Sequence, residues 1–104
     1  MLILFNTDNN VTGSEELIAS STSIISEELS RFSEQITRVV IHLSDVDGNK
    51  DGPNDKRCMV EARLAGMKPI AVTERANTHE QALSGAVDKL KASLKSLTGR
   101  LKDY

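Results

Sequence analysis

Oxygen-bearing side chains in one polar segment have the spacing of a calcium-binding loop. Asp47, Asn49 and Asp51 match the first, third and fifth positions of an EF-hand loop, and Asp55 falls at the ninth. The twelfth position, where a bidentate Glu completes the coordination, is Cys58, whose sulfur is a poor calcium ligand. The flanking residues alternate as strands do. The favoured interpretation is a hydrated hairpin loop, with a calcium site as the alternative.

The other metal-binding and nucleophilic side chains do not form a set. His42 and His79 have no ligating partner at a suitable spacing, and Cys58 alternates with residues that face a core. The sequence has no glycine-rich phosphate loop and no carboxylate pair in an identifiable pocket. We therefore expect no catalytic residue, no cofactor and no metal, and we predict that the protein is not an enzyme.

The last 27 residues, 78–104, have the pattern of a basic amphipathic helix. Thr78 and Gln81 have capping-box spacing, and leucines and a valine then recur at intervals of three and four. The basic residues lie off this apolar stripe, at Lys89, Lys91, Lys95, Arg100 and Lys102. Such a helix is suited to an anionic partner. The alternative is that the lysines only keep an exposed helix face soluble, and that those near the C-terminus complement the helix dipole.

The charge of the chain is unevenly distributed. The formal net charge is −2, but residues 1–37 carry six acids and one base, and residues 67–104 carry seven bases and four acids. The first segment is therefore −5 and the last is +3. Because binding depends on the local field, the C-terminal third favours a nucleic-acid partner although the whole chain is acidic.

Four segments have strand character and two have helix character. The first helix begins at a second capping box, Thr12 with Glu15, and its apolar spacing continues as far as Ile36. Ala65-Gly66 allows a tight turn between the last two strands. The predicted strands are Leu2–Phe5, Arg38–Ser44, Arg57–Leu64 and Pro69–Glu74.

This order, β-α-β-β-β-α, predicts an α+β two-layer sandwich in which a four-stranded sheet has two helices on one face. Three consecutive strands form an antiparallel meander, and the first strand joins the sheet through a crossover over helix one. The other face of the sheet is then exposed to solvent. Its expected side chains are Arg38, His42, Arg57, Glu61 and Arg63.

Length and composition predict a single domain over residues 1–104. Aromatic residues are only 3% of the chain, which disfavours a surface that stacks bases on rings. No apolar run approaches membrane-spanning length, and the N-terminal Met-Leu-Ile-Leu-Phe segment lacks the basic flank of a signal peptide. With one cysteine and so no internal disulfide, we expect a cytoplasmic protein that does not contact a membrane.

The chain resembles the ribosome hibernation-promoting factor and ribosome-associated inhibitor family, also called the sigma-factor modulation proteins, in its short form. The resemblance is carried by Asn9-Asn10-Val11, by the segment from Ile70 to Leu83 and by Val87-Asp88-Lys89-Leu90. It implies a fold similar to that of double-stranded-RNA-binding domains. It also implies binding between the head and body of the small ribosomal subunit, where the protein overlaps the mRNA and tRNA sites in starvation or stationary phase.

The resemblance also implies that basic side chains of this chain contact rRNA phosphates. Lys89 occupies the lysine position of the family's Asp-Lys-Leu motif, Arg100 and Lys102 continue its basic tail, and Lys91 and Lys95 add further charges. Lys68 and Arg75 are weaker candidates. Helix one departs from the Lys- and Arg-rich pattern of the family, since it carries Glu15, Glu16, Glu27, Glu28 and Glu34 against Arg31 alone.

The acidic helix one also supports a different class of function, a protein-interaction module. Its −5 segment complements a basic partner or the +3 segment of a second copy of the chain. A protein-interaction module or a self-associating domain, with the family fold and without ribosome binding, is therefore the alternative prediction, and a homodimer is one form of it.

Overall fold

The computed structural model describes residues 1–7, 15–45 and 56–102, with side chains described as far as Leu97. The elements follow the predicted β-α-β-β-β-α order, and the strand boundaries differ from the predicted ones by no more than two residues. A single 3-10 turn, Ser30–Phe32, is added after the first helix. The elements are β1 (Leu2–Thr7), α1 (Glu15–Glu28), β2 (Ile36–Asp45), β3 (Lys56–Leu64), β4 (Ile70–Ala76) and α2 (His79–Lys102).

The four strands form one mixed sheet in the order β1-β2-β3-β4. β1 is parallel to β2, as a crossover through α1 requires, and β2, β3 and β4 pair antiparallel as a meander. Both topological predictions are confirmed. The β3–β4 turn contains Gly66 at φ 72°, a left-handed conformation that glycine adopts without a steric cost.

The core lies between the sheet and the two helices. On β2 and β3 the register places Ile41 opposite Val60 and Leu43 opposite Cys58, with all four side chains pointing to the same face. Burial of each large apolar side chain contributes about 1.5–3 kcal/mol. α1 adds Ile25 and Leu29 follows it, while α2 contributes Leu83, Val87, Leu90 and Leu94, all buried.

The predicted first helix is too long at its C-terminal end. α1 ends at Glu28, Phe32 lies in the 3-10 turn, and Ile36 begins β2. Phe32 N–H donates to the carbonyl of Leu29 at 2.9 Å, an i→i+3 bond that tightens the chain as it leaves the helix. These apolar residues are buried as predicted, but helical spacing alone does not reveal where the chain turns toward the sheet. The predicted cap at Thr12 lies outside the described residues.

Candidate nucleic-acid interface

The orientation of α2 follows from its cap and its apolar stripe. Gln81 N–H donates to Thr78 Oγ1 at 3.1 Å, which satisfies one of the free amides of the first turn. Leu90 and Leu94 are completely buried, and Leu97 is partly buried against the core. Because these residues pack on β3 and β4, the lysines between them point away from the core.

Lys89 is held against the outer strand of the sheet. Its ammonium donates to the carbonyl oxygen of Thr73 at 2.9 Å and lies 3.4 Å from Glu74 Oε1. The close approach of α2 to β4 at this point depends on Gly85, since a Cβ there would lie 2.6 Å from the Cγ of Glu74. The lysine of the Asp-Lys-Leu motif is therefore already paired within the chain.

Lys91 lies on the other flank of α2 and contacts α1. Its Nζ is 2.7 Å from Glu28 Oε2, and the lysine side chain is only 28% exposed. At least one carboxylate of the acidic helix thus turns toward α2 and neutralises a predicted phosphate contact. Such a pair contributes about 0–1 kcal/mol to stability, but a phosphate has to compete with it.

The other predicted binding residues are dispersed. Lys95 is exposed one turn beyond Lys91, and Lys68 lies in the β3–β4 turn beside a groove of about 820 Å³ that runs along the C-terminal half of α2. Arg75 is exposed on β4, on the opposite face of the sheet from both helices. Arg100 and Lys102 belong to α2, but their side chains lie outside the described part. The predicted set is therefore not one surface.

The helix layer as a whole is acidic. In the described parts of α1 and α2, the side chains comprise six acids and three bases. The acids are Glu15, Glu16, Glu27, Glu28, Glu80 and Asp88, and the bases are Lys89, Lys91 and Lys95. Even with Arg100 and Lys102 added from the sequence, the two helices carry six acids against five bases. The positive charge predicted for α2 is therefore cancelled by the acidic residues of α1 and α2.

Arg75 has basic neighbours that the sequence-based site did not include. The pairing of β3 with β4 places Arg57 directly opposite Arg75, and the alternation of β2 and β3 places Arg38 and Arg63 on the same face. Sequence alternation assigned three of these arginines to a solvated face without giving them a role. All four arginines occupy the alternate strand positions that face away from the helices. This alternation is visible in the sequence and could have identified them as one group.

The structure places the potential nucleophile and the histidines as predicted. Cys58 is fully buried, and burial raises the pKa of its thiol to about 12, which leaves it protonated and unreactive at neutral pH. His42 is on the solvated face of β2, and His79 is the first residue of α2.

The candidate calcium loop, Asp47 to Asp55, lies outside the described residues. Within the described ranges, no three His, Cys, Asp or Glu side chains are grouped as metal ligands, and no helix is long and apolar enough to cross a membrane.

Comparison with known proteins supplies the family. A family model described as "sigma 54 modulation protein / S30EA ribosomal protein" matches residues 7–102 of this chain. The chain belongs to this family. No curated protein matches it.

Two solved structures have the fold of this sigma 54 modulation/S30EA family member. The N-terminal domain of Thermus thermophilus Protein Y is 17% identical with a TM-score of 0.72, covering 93% of this chain and 99% of that one. A ribosomal subunit interface protein from Coxiella burnetii is 16% identical with a TM-score of 0.76, covering 95% and 99% respectively. The resemblance predicted from the sequence is confirmed, and so is the fold it implied.

Proposed function

We propose that this protein is a ribosome hibernation factor that binds the rRNA of the small ribosomal subunit and inhibits translation in starvation or stationary phase. The match of the sigma 54 modulation/S30EA model to residues 7–102 carries the proposal, because it covers both helices and three of the four described strands. The similarity to the ribosomal subunit interface protein from Coxiella burnetii supports the same function. This function places the protein in the cytoplasm.

The inhibition requires no chemistry on the part of the protein. A rigid domain seated between the head and body of the small subunit excludes mRNA and tRNA by occupying their space. The sheet with its two helices is suited to this role, since its core is continuous from α1 through β2 and β3 to α2. Basic side chains fix the domain in place through phosphate contacts and add no sequence preference.

The predicted contact residues differ in how readily they can engage a phosphate. Lys89 and Lys91 first have to leave Glu74 and Glu28, so each contributes less than an unpaired cation. Within the described ranges, Lys68 and Arg75 have no carboxylate at ion-pair distance and require no such exchange.

Co-sedimentation with purified small subunits tests the proposal. We expect the protein to pellet with the subunits at low salt, and log K to fall linearly with log salt, with a slope of about −0.7 to −0.9 for each phosphate contact. Subunits preloaded with mRNA and initiator tRNA should retain less protein. Recovery of all the protein in the supernatant at about 20 mM salt would contradict ribosome binding, and undiminished retention by preloaded subunits would contradict occlusion.

Self-association is a second candidate function, and β1 is the feature that favours it. β1 pairs with β2 alone among the described strands, so its other edge presents free backbone groups. Two of its side chains are exposed large hydrophobics, Leu2 at 56% and Leu4 at 41%. Sedimentation velocity over a range of concentrations tests this candidate, for which we expect a dimer that Leu4→Lys dissociates. A monomer at all concentrations would exclude it.

A further inference from the structure

The face of the sheet opposite the helices, called here the open face, carries four arginines on its described strands. They are Arg38 on β2, Arg57 and Arg63 on β3 and Arg75 on β4. Glu61 is the one acidic side chain on the open face within the described ranges. We propose that the open face, and not the helix layer, is the main surface that binds rRNA phosphates. This inference rests on the proposed function and specifies the surface that performs it.

The strand register places these arginines in two facing pairs. Arg57 is directly opposite Arg75, and Arg38 is directly opposite Arg63. Side chains in such positions have Cβ atoms about 5 Å apart, and like charges there repel each other. A sheet gains no stability from this arrangement. An anion placed over either pair would convert the repulsion into two charge-assisted hydrogen bonds.

Little within the protein neutralises the open face. In the part of the chain that the structure describes, no carboxylate lies within ion-pair distance of Arg38, Arg57 or Arg75. Arg63 Nε is 3.7 Å from Glu61 Oε1, a long and exposed contact that is worth little. These guanidinium groups are therefore available to a ligand.

The two faces of the domain differ in the sign of their charge. Four arginines against Glu61 give the open face +3, whereas the helices are −1 even when Arg100 and Lys102 are included. Lys89 and Lys91, moreover, are already paired with carboxylates. A polyanion approaching this protein is attracted to the open face and repelled by the glutamates of α1.

The spacing of the two pairs indicates a phosphodiester chain and not a small anion. Arg57 and Arg63 are six residues apart on β3, so the pairs are separated by roughly 20 Å. One phosphate can cover only one pair, whereas a nucleic-acid backbone reaches both. All four cations are arginines, whose planar fork binds phosphate oxygens in a bidentate manner.

A depression in the open face adds groups that recognise more than phosphate. It has a volume of about 310 Å³ and lies beside Arg57. Side chains of Asn6, His42 and Ser44 line it, and these provide hydrogen-bond donors and acceptors for a ribose hydroxyl or a base edge. An RNA strand that follows the arginines would pass over this depression.

The test compares two double variants that remove the same charge from opposite faces. Arg57→Gln/Arg63→Gln neutralises one arginine of each pair, and because it relieves repulsion we expect it to fold at least as well as the parent. Lys91→Gln/Lys95→Gln removes two cations from the helix layer. Affinity for purified small subunits and for protein-free small-subunit rRNA is measured from about 50 to 200 mM salt, the range over which phosphate contacts dominate the salt dependence.

We expect the arginine variant to lose roughly 30-fold in affinity at about 0.1 M salt and its salt slope to fall by about 1.4–1.8, the value for two phosphate contacts. The lysine variant should lose less than about threefold, since Lys91 already has a carboxylate partner. An equal or larger loss in the lysine variant overturns the inference while the proposed function stands. A parent protein that binds subunits but not the free rRNA also overturns it, because a ribosomal protein is then the partner. A parent that binds neither refutes the proposed function itself.

Discussion

Neutralising Arg57 should stabilise the free protein, although the residue is proposed to bind RNA. Arg57 and Arg75 are both exposed, lie directly opposite each other on β3 and β4, and have no carboxylate within ion-pair distance in the described ranges. Arg57→Gln keeps most of the side-chain length and removes one of the two charges. The expected result is a higher free energy of unfolding at low salt.

The magnitude follows from the geometry of the pair. Two unit charges about 6 Å apart repel by roughly 0.7 kcal/mol in a dielectric of water, which lies within the range of about 0.2–1 kcal/mol for cross-strand pairs. For a domain of this size, that energy corresponds to a rise in Tm of about 3–5 °C. The Debye length falls from about 30 Å at 0.01 M salt to about 3 Å at 1 M, so the gain should disappear at high salt.

Thermal unfolding followed by circular dichroism at both salt concentrations measures this effect. Arg57→Lys is the matched control, since it keeps the charge and should show no gain. Arg63→Gln should gain less than Arg57→Gln because it also loses its contact with Glu61. In the double variant with Arg75→Gln, the second substitution should add little, since the repulsion has already been removed. Equal Tm values for the Gln and Lys variants at low salt, or a gain that persists at 1 M, would refute the reasoning.

Three further predictions concern stability and reactivity. Leu94→Ala removes a completely buried side chain between α2 and the sheet and should cost about 2–5 kcal/mol in a urea titration; a loss under about 1 kcal/mol would place Leu94 outside the core. Burial raises the pKa of the Cys58 thiol from 9.0 to about 12, so its contribution to stability is intact below pH 9 and is lost as pH rises toward 12. In urea titrations above pH 9, the free energy of unfolding should fall less steeply with pH in Cys58→Ala than in the parent. Equal slopes would contradict the burial argument. Gly66→Ala should cost about 1–2 kcal/mol because of its φ of 72°. Gly85→Ala should also destabilise the protein, because its Cβ would lie 2.6 Å from the Cγ of Glu74, and displacing this partner of Lys89 outweighs a gain of about 1 kcal/mol in helix propensity; an unchanged or higher urea midpoint for Gly85→Ala would contradict this.

The elements that are long and regularly patterned were predictable. The alternation from Arg57 to Leu64 gave β3 to within one residue, and the stripe of α2 gave its buried face. Phe32 and Ile36 were assigned to the first helix because they follow Leu29 at intervals of three and four residues. Buried residues can have the same spacing where the chain leaves a helix and turns toward a strand. The apolar residues had to be buried in either case, so composition and spacing alone do not distinguish the two.

The sequence by itself determined the family, the order of the elements and the direction in which each side chain points, because these depend on periods of 2 and 3.6 residues and on local caps. Only the tertiary structure decided which charges meet. Lys91 and Glu28 are 63 residues apart and become partners through the packing of α1 beside α2. Likewise, the register of β3 against β4 makes Arg57 and Arg75 opposite neighbours. Such pairings are set by how whole elements dock, and that is a property of the complete core.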